Sequence, residues 1–149
     1  MLAWTPDANH EGPHAMKIDG SCHCGKIKYE AEVDLDGARI CHCTDCQTMG
    51  GSAFRMVVPS QVDGFRITSG APKIYVKVAE SGNPRAQAFC ADCGTHLYAS
   101  PTGDGPKVYN VRTSTVRQRD RIVPQFQGWH RSAQRWLPDL ASIPKVETQ

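Results

Sequence analysis

The stretch "SCHCGKIKYEAEV", residues 21–33, joins two signals. Its second part alternates. Ile27, Tyr29, Ala31 and Val33 fall on one side of an extended chain, and Lys26, Lys28, Glu30 and Glu32 on the other. A period of two marks a strand with one buried face. Its first part sets Cys22 and Cys24 two positions apart, followed at once by Gly25. A glycine there tolerates the positive φ that turns backbone N–H groups toward sulfur, as in a zinc knuckle. A strand therefore emerges from half of a metal site, and the rest of the chain must supply the other half.

"FCADCGTHL" (89–97) supplies it. Cys90 and Cys93 are spaced C-x-x-C, and Gly94 follows. Two knuckles of two thiolates each close one tetrahedral site, Cys22, Cys24, Cys90 and Cys93. Their separation in sequence makes the site a clamp between the two halves of the chain. The alternative is that these cysteines only fill an apolar core, which two glycine-terminated knuckles argue against.

Three cysteines remain, in "ICHCTDCQ" (40–47). Residues i and i+2 of a strand share a face, so Cys41 and Cys43 can meet if the strand bends, and Cys46 can return from the next turn. Three protein ligands with an open fourth position characterise catalytic zinc, whereas structural sites are closed. A closed site using His42, Asp45 or His96 is the competing arrangement, and an iron–sulfur cluster is a further one. Three thiolates on a divalent ion leave a net charge of about −1, which suits hydroxide generation poorly. The same site still deprotonates a coordinating thiol, so the chemistry it favours is that of a thiolate on an electrophilic carbon, or the reverse cleavage.

Neighbouring segments can serve this site. Gly50 and Gly51 in "TMGGSAF" (48–54) present N–H groups to a carboxylate or an oxyanion, or simply form a tight turn. Lys107, Arg112, Arg117, Arg119, Arg121, Arg131 and Arg135 accompany a single acid, Asp120, between 107 and 135. Such a stretch holds an anionic substrate such as a small peptide, or forms a solvated basic face. Asp45, His96 and Tyr98 are acid–base candidates by proximity alone. His23 is expected to face away from the sulfurs beside it, and His10, His14 and His130 belong to no constellation.

The 149 residues suit one domain able to bury roughly 68–70% of its unfolded surface. A net charge of +2 and 7% aromatic residues give no nucleic-acid signature. No apolar run reaches the roughly 18 residues of a transmembrane helix, and the first residues lack the pattern of a signal peptide. A cytoplasmic protein with reduced cysteines and no membrane or nucleic-acid partner is expected. Short strands are expected at 25–33, 52–58 (ended by Pro59), 86–90, 95–99 and 107–112, with a hairpin joining 65–70 to 72–78. Ile74, Val76 and Val78 would share one face of the last of these. A short turn is expected after Thr44 and Asp45, and one short C-terminal helix at "WHRSAQRWL" (129–137), stopped by Pro138. The fold class is mainly β. Residues 1–15 read as an irregular extension, 16–140 as the domain and 141–149 as a tail.

"GSCHCGKIKYE" (20–30), "CHCTDCQTMGGSAF" (41–54) and "FCADCGTHLY" (89–98), in this order, resemble the glutathione-dependent formaldehyde-activating enzyme family, also called the centromere protein V family. The resemblance spans roughly 16–140. It implies a single-domain β-tent zinc fold of stacked antiparallel sheets. It implies two Zn²⁺ per chain, a structural ion on Cys22, Cys24, Cys90 and Cys93 and a catalytic ion on Cys41, Cys43 and Cys46. The activity it implies is carbon–sulfur lyase chemistry on a thiol–aldehyde adduct, forming or cleaving S-hydroxymethylglutathione from glutathione and formaldehyde. The family carries a Gly-Thr/Ser-Leu-Asp-like stretch after its last long strand, where this chain reads "VRTSTVRQRD" (111–120), basic and without that glycine. The alternative function is a non-catalytic zinc module that binds a thiol adduct or a protein partner.

Overall fold

The computed structural model describes residues 14–149. The extension expected at 1–15 lies almost wholly outside the described residues. The first strand, β1, already begins at Ala15 (Ala15–Ser21). It is followed by β2 (Lys28–Asp34), β3 (Arg39–Cys41), a helix α1 (Thr44–Gly50) and a long strand β4 (Arg55–Ser69). Then come β5 (Lys73–Val78), β6 (Pro84–Phe89), β7 (His96–Pro101), β8 (Asn110–Arg112) and β9 (Phe126–Gly128).

β4 organises the molecule. Its C-terminal half pairs with β2, from Ser60 opposite Val33 to Ser69 opposite Lys28. Its N-terminal half pairs with β3 on that same side, and with β8 on the other. Beyond β8 the sheet continues through β7 and β6 to β5 at its edge. All pairs are antiparallel except β3 with β9, which is parallel. The alternation read in 25–33 is kept: Ile27, Tyr29, Ala31 and Val33 are buried, between exposed Lys28, Glu30 and Glu32. They join Ile18, Val58, Leu97, Val111 and Val116 in one core drawn from both halves of the β4 sheet system. Each large side chain fully buried there contributes about 1.5–3 kcal/mol. Phe65 stacks between Tyr29 and Tyr109, with ring centroids 5.0 and 4.9 Å away.

Three expectations are corrected. Pro59 does not end its strand. It lies where a 3₁₀ turn (Leu35–Gly37) interrupts the β2–β3 edge, so no partner strand awaits the N–H that proline lacks. The next N–H, on Ser60, points the other way and donates to the Tyr109 carbonyl at 2.8 Å. Residues 65–70 and 72–78 form no hairpin, because β2 occupies β4 and β5 pairs only with β6. The turn between them presses Gly70 (φ +75°) on the Lys26 carbonyl, 2.5 Å from where a Cβ would stand. Ile74, Val76 and Val78 do share a face, but at the sheet edge they are exposed.

The C-terminal helix is the third. Residues 129–137 form no α-helix; two 3₁₀ turns, His130–Ser132 and Leu137–Ser142, stand there instead. Trp129 is left-handed (φ 53°) and Ala133 is extended, so helical dihedrals are broken at both ends of the first turn. Gln47 of α1 donates to the Ser132 carbonyl at 2.9 Å, and Gln134 donates to Gln47 Oε1 at 2.7 Å. These long-range bonds replace the i→i−4 ladder, and Pro138 discourages helix in the residue before it. The one α-helix among the described residues is α1, where only a turn was expected.

Gly20 in β1 faces Tyr29, whose hydroxyl bonds Thr115 Oγ1 at 2.7 Å. A Cβ on Gly20 would stand 2.3 Å from the Thr115 carbonyl oxygen and 2.4 Å from the Tyr29 hydroxyl. Backbone and a fully buried ring cannot both give way. Gly20→Ala is expected to destabilise by about 2–3 kcal/mol, lowering Tm by roughly 5–10 °C, as a thermal melt would show.

Candidate metal centres

The two knuckles fold alike. Cys22 N–H donates to the Ile27 carbonyl at 3.0 Å, and Cys90 N–H to the Thr95 carbonyl at 2.9 Å, closing matching loops. Gly25 (φ 79°) and Gly94 (φ 76°) take the left-handed conformation at equivalent places. The freed amides turn toward sulfur, as Ile27 N–H does toward Cys22 Sγ at 3.3 Å. Thr95 binds across the gap, its Oγ1 accepting from His23 N–H at 3.0 Å and lying 3.2 Å from Cys93 Sγ. That hydroxyl, with the backbone N–H groups of Cys24 and Thr95, pulls the Cys93 thiol down to about 5. His23 is exposed, as its position between the two ligands suggested.

The four Sγ atoms lie within 4.8 Å of one another. Cys22–Cys24 is 3.6 Å and Cys24–Cys90 is 3.8 Å. Tetrahedral thiolates at a metal–sulfur bond of about 2.3 Å stand roughly 3.8 Å apart, so this donor set fits zinc.

The second cluster is built by a helix start. β3 delivers Cys41 beside Arg55 of β4. Cys43 is the N-cap of α1, and its Sγ accepts the Cys46 N–H at 3.3 Å. One capped turn thus returns Cys46 to the end of β3. The three Sγ atoms also lie within 4.8 Å of one another, a second set able to hold a metal ion.

No histidine or carboxylate joins these three among the described residues. His42 points elsewhere; its Nε2 pairs with Gln127 Oε1 at 2.7 Å and its ring packs edge-on to Phe54 and His130. Asp45 accepts from Lys77 Nζ at 2.7 Å. His96 stacks on Phe89, and Tyr98 is held in the aromatic core, where burial raises its pKa. Of the acid–base candidates, therefore, none lies with the three sulfurs.

A family model for the glutathione-dependent formaldehyde-activating enzyme matches residues 17–132, most of the chain. The chain belongs to that family. A crystal structure of a Rhodobacter sphaeroides protein shares the fold, with a TM-score of 0.54 at 20% identity. That match covers 73% of this chain and 98% of the other. In this member of the formaldehyde-activating family, no helix among the described residues is long and apolar enough to cross a membrane.

The three-cysteine cluster opens into a cleft of about 640 Å³. Of the basic residues between 107 and 135, only Arg112 and Arg131 reach it. Arg117 instead grips Asp19 across the β1 edge at 2.7 Å, holding that carboxyl down to about 2. Gly51 caps α1, its N–H donating to the Gln47 carbonyl at 3.0 Å, so that amide is not free for a ligand. Three other cations line the cleft unannounced: Arg39, Lys77 and Arg85. The signal lay in the register, for Arg39 is two residues from Cys41 and shares its face. Arg55, only 7% exposed and with an unpaired NH2, feels the charge of all three cysteines. It is a buried counter-charge to the cluster.

Proposed function

We propose that this chain is a zinc-dependent carbon–sulfur lyase for thiol–aldehyde adducts, of the type that forms and cleaves S-hydroxymethylglutathione. The observation that carries it is the contrast between the two clusters. One has four thiolates and is complete. The other has three, with no fourth protein ligand among the described residues and a cleft beside it.

A zinc ion on Cys41, Cys43 and Cys46 would supply acidity to a substrate thiol, so that it binds as thiolate at neutral pH. The chain's own residues do the rest. Arg55, behind the cluster, offsets the excess negative charge of the thiolates. Arg39 and Arg112 keep cations at the face where Cys41 emerges. In the forward direction the sulfur lone pair forms the C–S bond, the C=O π pair moves to oxygen, and oxygen takes a proton. Cleavage reverses each movement.

A second reading has its own observation: among the described residues no Asp, Glu or His lines the cleft to move that proton. A carrier that binds the adduct without accelerating its exchange needs none. Two-dimensional NMR exchange spectroscopy on glutathione and formaldehyde, with and without the reduced zinc-loaded protein, separates the two. Faster interconversion supports the lyase; saturable binding at an unchanged rate supports the carrier.

A further inference from the structure

The floor of the cleft carries more positive charge than the three-cysteine cluster offsets, although the charges of Cys41 and Cys46 reach Arg39 and Arg112. Strand register places it. Arg39 pairs with Val57, and Val57 with Arg112, on the face that also bears Cys41. Across β7 the same face continues through Ala99 opposite Gln87 to Arg85 opposite Lys77. Among the described residues five cations line the cleft, Arg39, Lys77, Arg85, Arg112 and Arg131, and no Asp or Glu does.

Two of the five, near the rim, are already paired. Lys77 binds Asp45 at 2.7 Å, and Arg131 lies 3.7 Å from Glu80. The other three have no carboxylate among the described residues. Arg39 donates to the Gly37 carbonyl and to Asn110 Oδ1, both neutral. Arg112 donates to Gln87 Oε1, and its Nε is buried without a partner although the residue is only 6% exposed. Arg85 is half-buried, and burial lowers its pKa. Guanidinium groups withdrawn from bulk water with only neutral partners lack a counter-charge, so the arrangement is suited to an anion that arrives from outside.

The number of charges narrows that anion. A divalent metal on three thiolates keeps one negative charge, which Arg55 offsets. A substrate thiolate would offset one of the three floor arginines. Two positive charges then remain. Among the described residues no carboxylate lines the cleft to neutralise an ammonium group, since Asp45 and Glu80 are outside it and engaged. Buried Val57 and Ala99 leave an apolar strip between the arginines, suited to a short methylene chain.

We propose that Arg39, Arg85 and Arg112 form a binding site for the distal end of the thiol partner, and that this end is a compact dianion without an ammonium group. The thiol part, and with it the count of two charges, rests on the reading of the three-cysteine cluster given above; the binding of an anion by the three arginines stands without it. Two sources share this chemistry, a dicarboxylate and a phosphate monoester.

Isothermal titration calorimetry of the full-length, zinc-loaded protein tests it with thiol-free probes. Glutarate, glutamate, glycerol phosphate and acetate are titrated in turn. Glutarate or glycerol phosphate is expected to bind at least tenfold more tightly than acetate. Glutarate is expected to exceed glutamate, which differs by its ammonium group, by at least tenfold. Arg85→Gln is expected to weaken the preferred dianion by roughly 10–100-fold, the worth of a charged hydrogen bond, with zinc content unchanged. Arg39→Gln, on a different strand, provides a second variant should the first fold poorly. Preference for glutarate identifies a dicarboxylate thiol, and preference for glycerol phosphate a phosphorylated one. The proposal is overturned if no dianion exceeds acetate, if glutamate matches glutarate, or if both variants bind like the parent. Failure of the lyase reading would appear as no acceleration in exchange spectroscopy with a thiol that carries the preferred dianion, and would leave these titrations untouched.

Discussion

Cys90→Ser is expected to leave most of the chain unfolded at ambient temperature. Cys90 is 1% exposed and sits 3.8 Å, sulfur to sulfur, from Cys24, across 66 positions of sequence. Its knuckle and that of Cys22 and Cys24 hold β6 and β7 against the start of β2. Structural zinc sites are worth about 10–16 kcal/mol in small metal-dependent domains. That equals or exceeds the roughly 5–15 kcal/mol of an entire domain's stability. Serine is a weak ligand and brings a hydroxyl into the core. The expected result is loss of the cooperative melt by circular dichroism, together with loss of the four-thiolate site's metal by elemental analysis. A melt within a few degrees of the parent, at unchanged metal content, would show that this cluster does not hold the fold.

Cys43→Ser is expected to do the opposite: keep the fold and abolish the chemistry. Cys43 is the N-cap of α1, and serine is among the best N-cap residues, so the helix retains its first hydrogen bond. The residue is half-buried and outside the hydrophobic core. Tm should shift by no more than a few degrees. Metal content should fall from two ions per chain to one, and thiol–aldehyde exchange to the uncatalysed rate, a loss of at least about 100-fold by comparison with the 10–100-fold cost of disturbing only a ligand's hydrogen-bond partner. Retained acceleration at one metal per chain would move the chemistry away from the three-cysteine cluster. Together the two variants separate a cluster that makes the structure from one that uses it.

Local patterns carried far in this chain. The alternation from Ile27 to Val33 named one wall of the core because side-chain direction in a strand depends only on parity. Cys22, Cys24, Cys90 and Cys93 could be grouped from a distance because each pair is made by a turn whose glycine is visible next to it. Cys41, Cys43 and Cys46 could be grouped by exclusion and by closeness, and the structure brings their sulfurs together.

Where sequence reasoning failed, the deciding contact was remote. The segment 129–137, stopped by Pro138, is the helical candidate in the sequence. Gln47, more than eighty positions earlier, binds the Ser132 carbonyl and Gln134 and holds the 3₁₀ turn His130–Ser132 against α1 instead. The pairs 65–70 and 72–78 look like neighbouring strands, but β2 takes the place a hairpin would need. The arginines cluster in sequence between 107 and 135, yet of that group only Arg112 and Arg131 line the cleft. Those that line the cleft floor, Arg39, Arg85 and Arg112, come from three strands and meet only through register.

By itself, then, the sequence determined the mainly β class and the partition of seven cysteines into four and three, because turns, parity and ligand spacing act over a few residues. Only the tertiary structure decided that β4 joins both halves of the sheet, that the three-cysteine cluster opens on a cationic floor, and that Arg55 lies behind it. Those features depend on which strand lies beside which, a choice made by burial and backbone pairing over the whole chain.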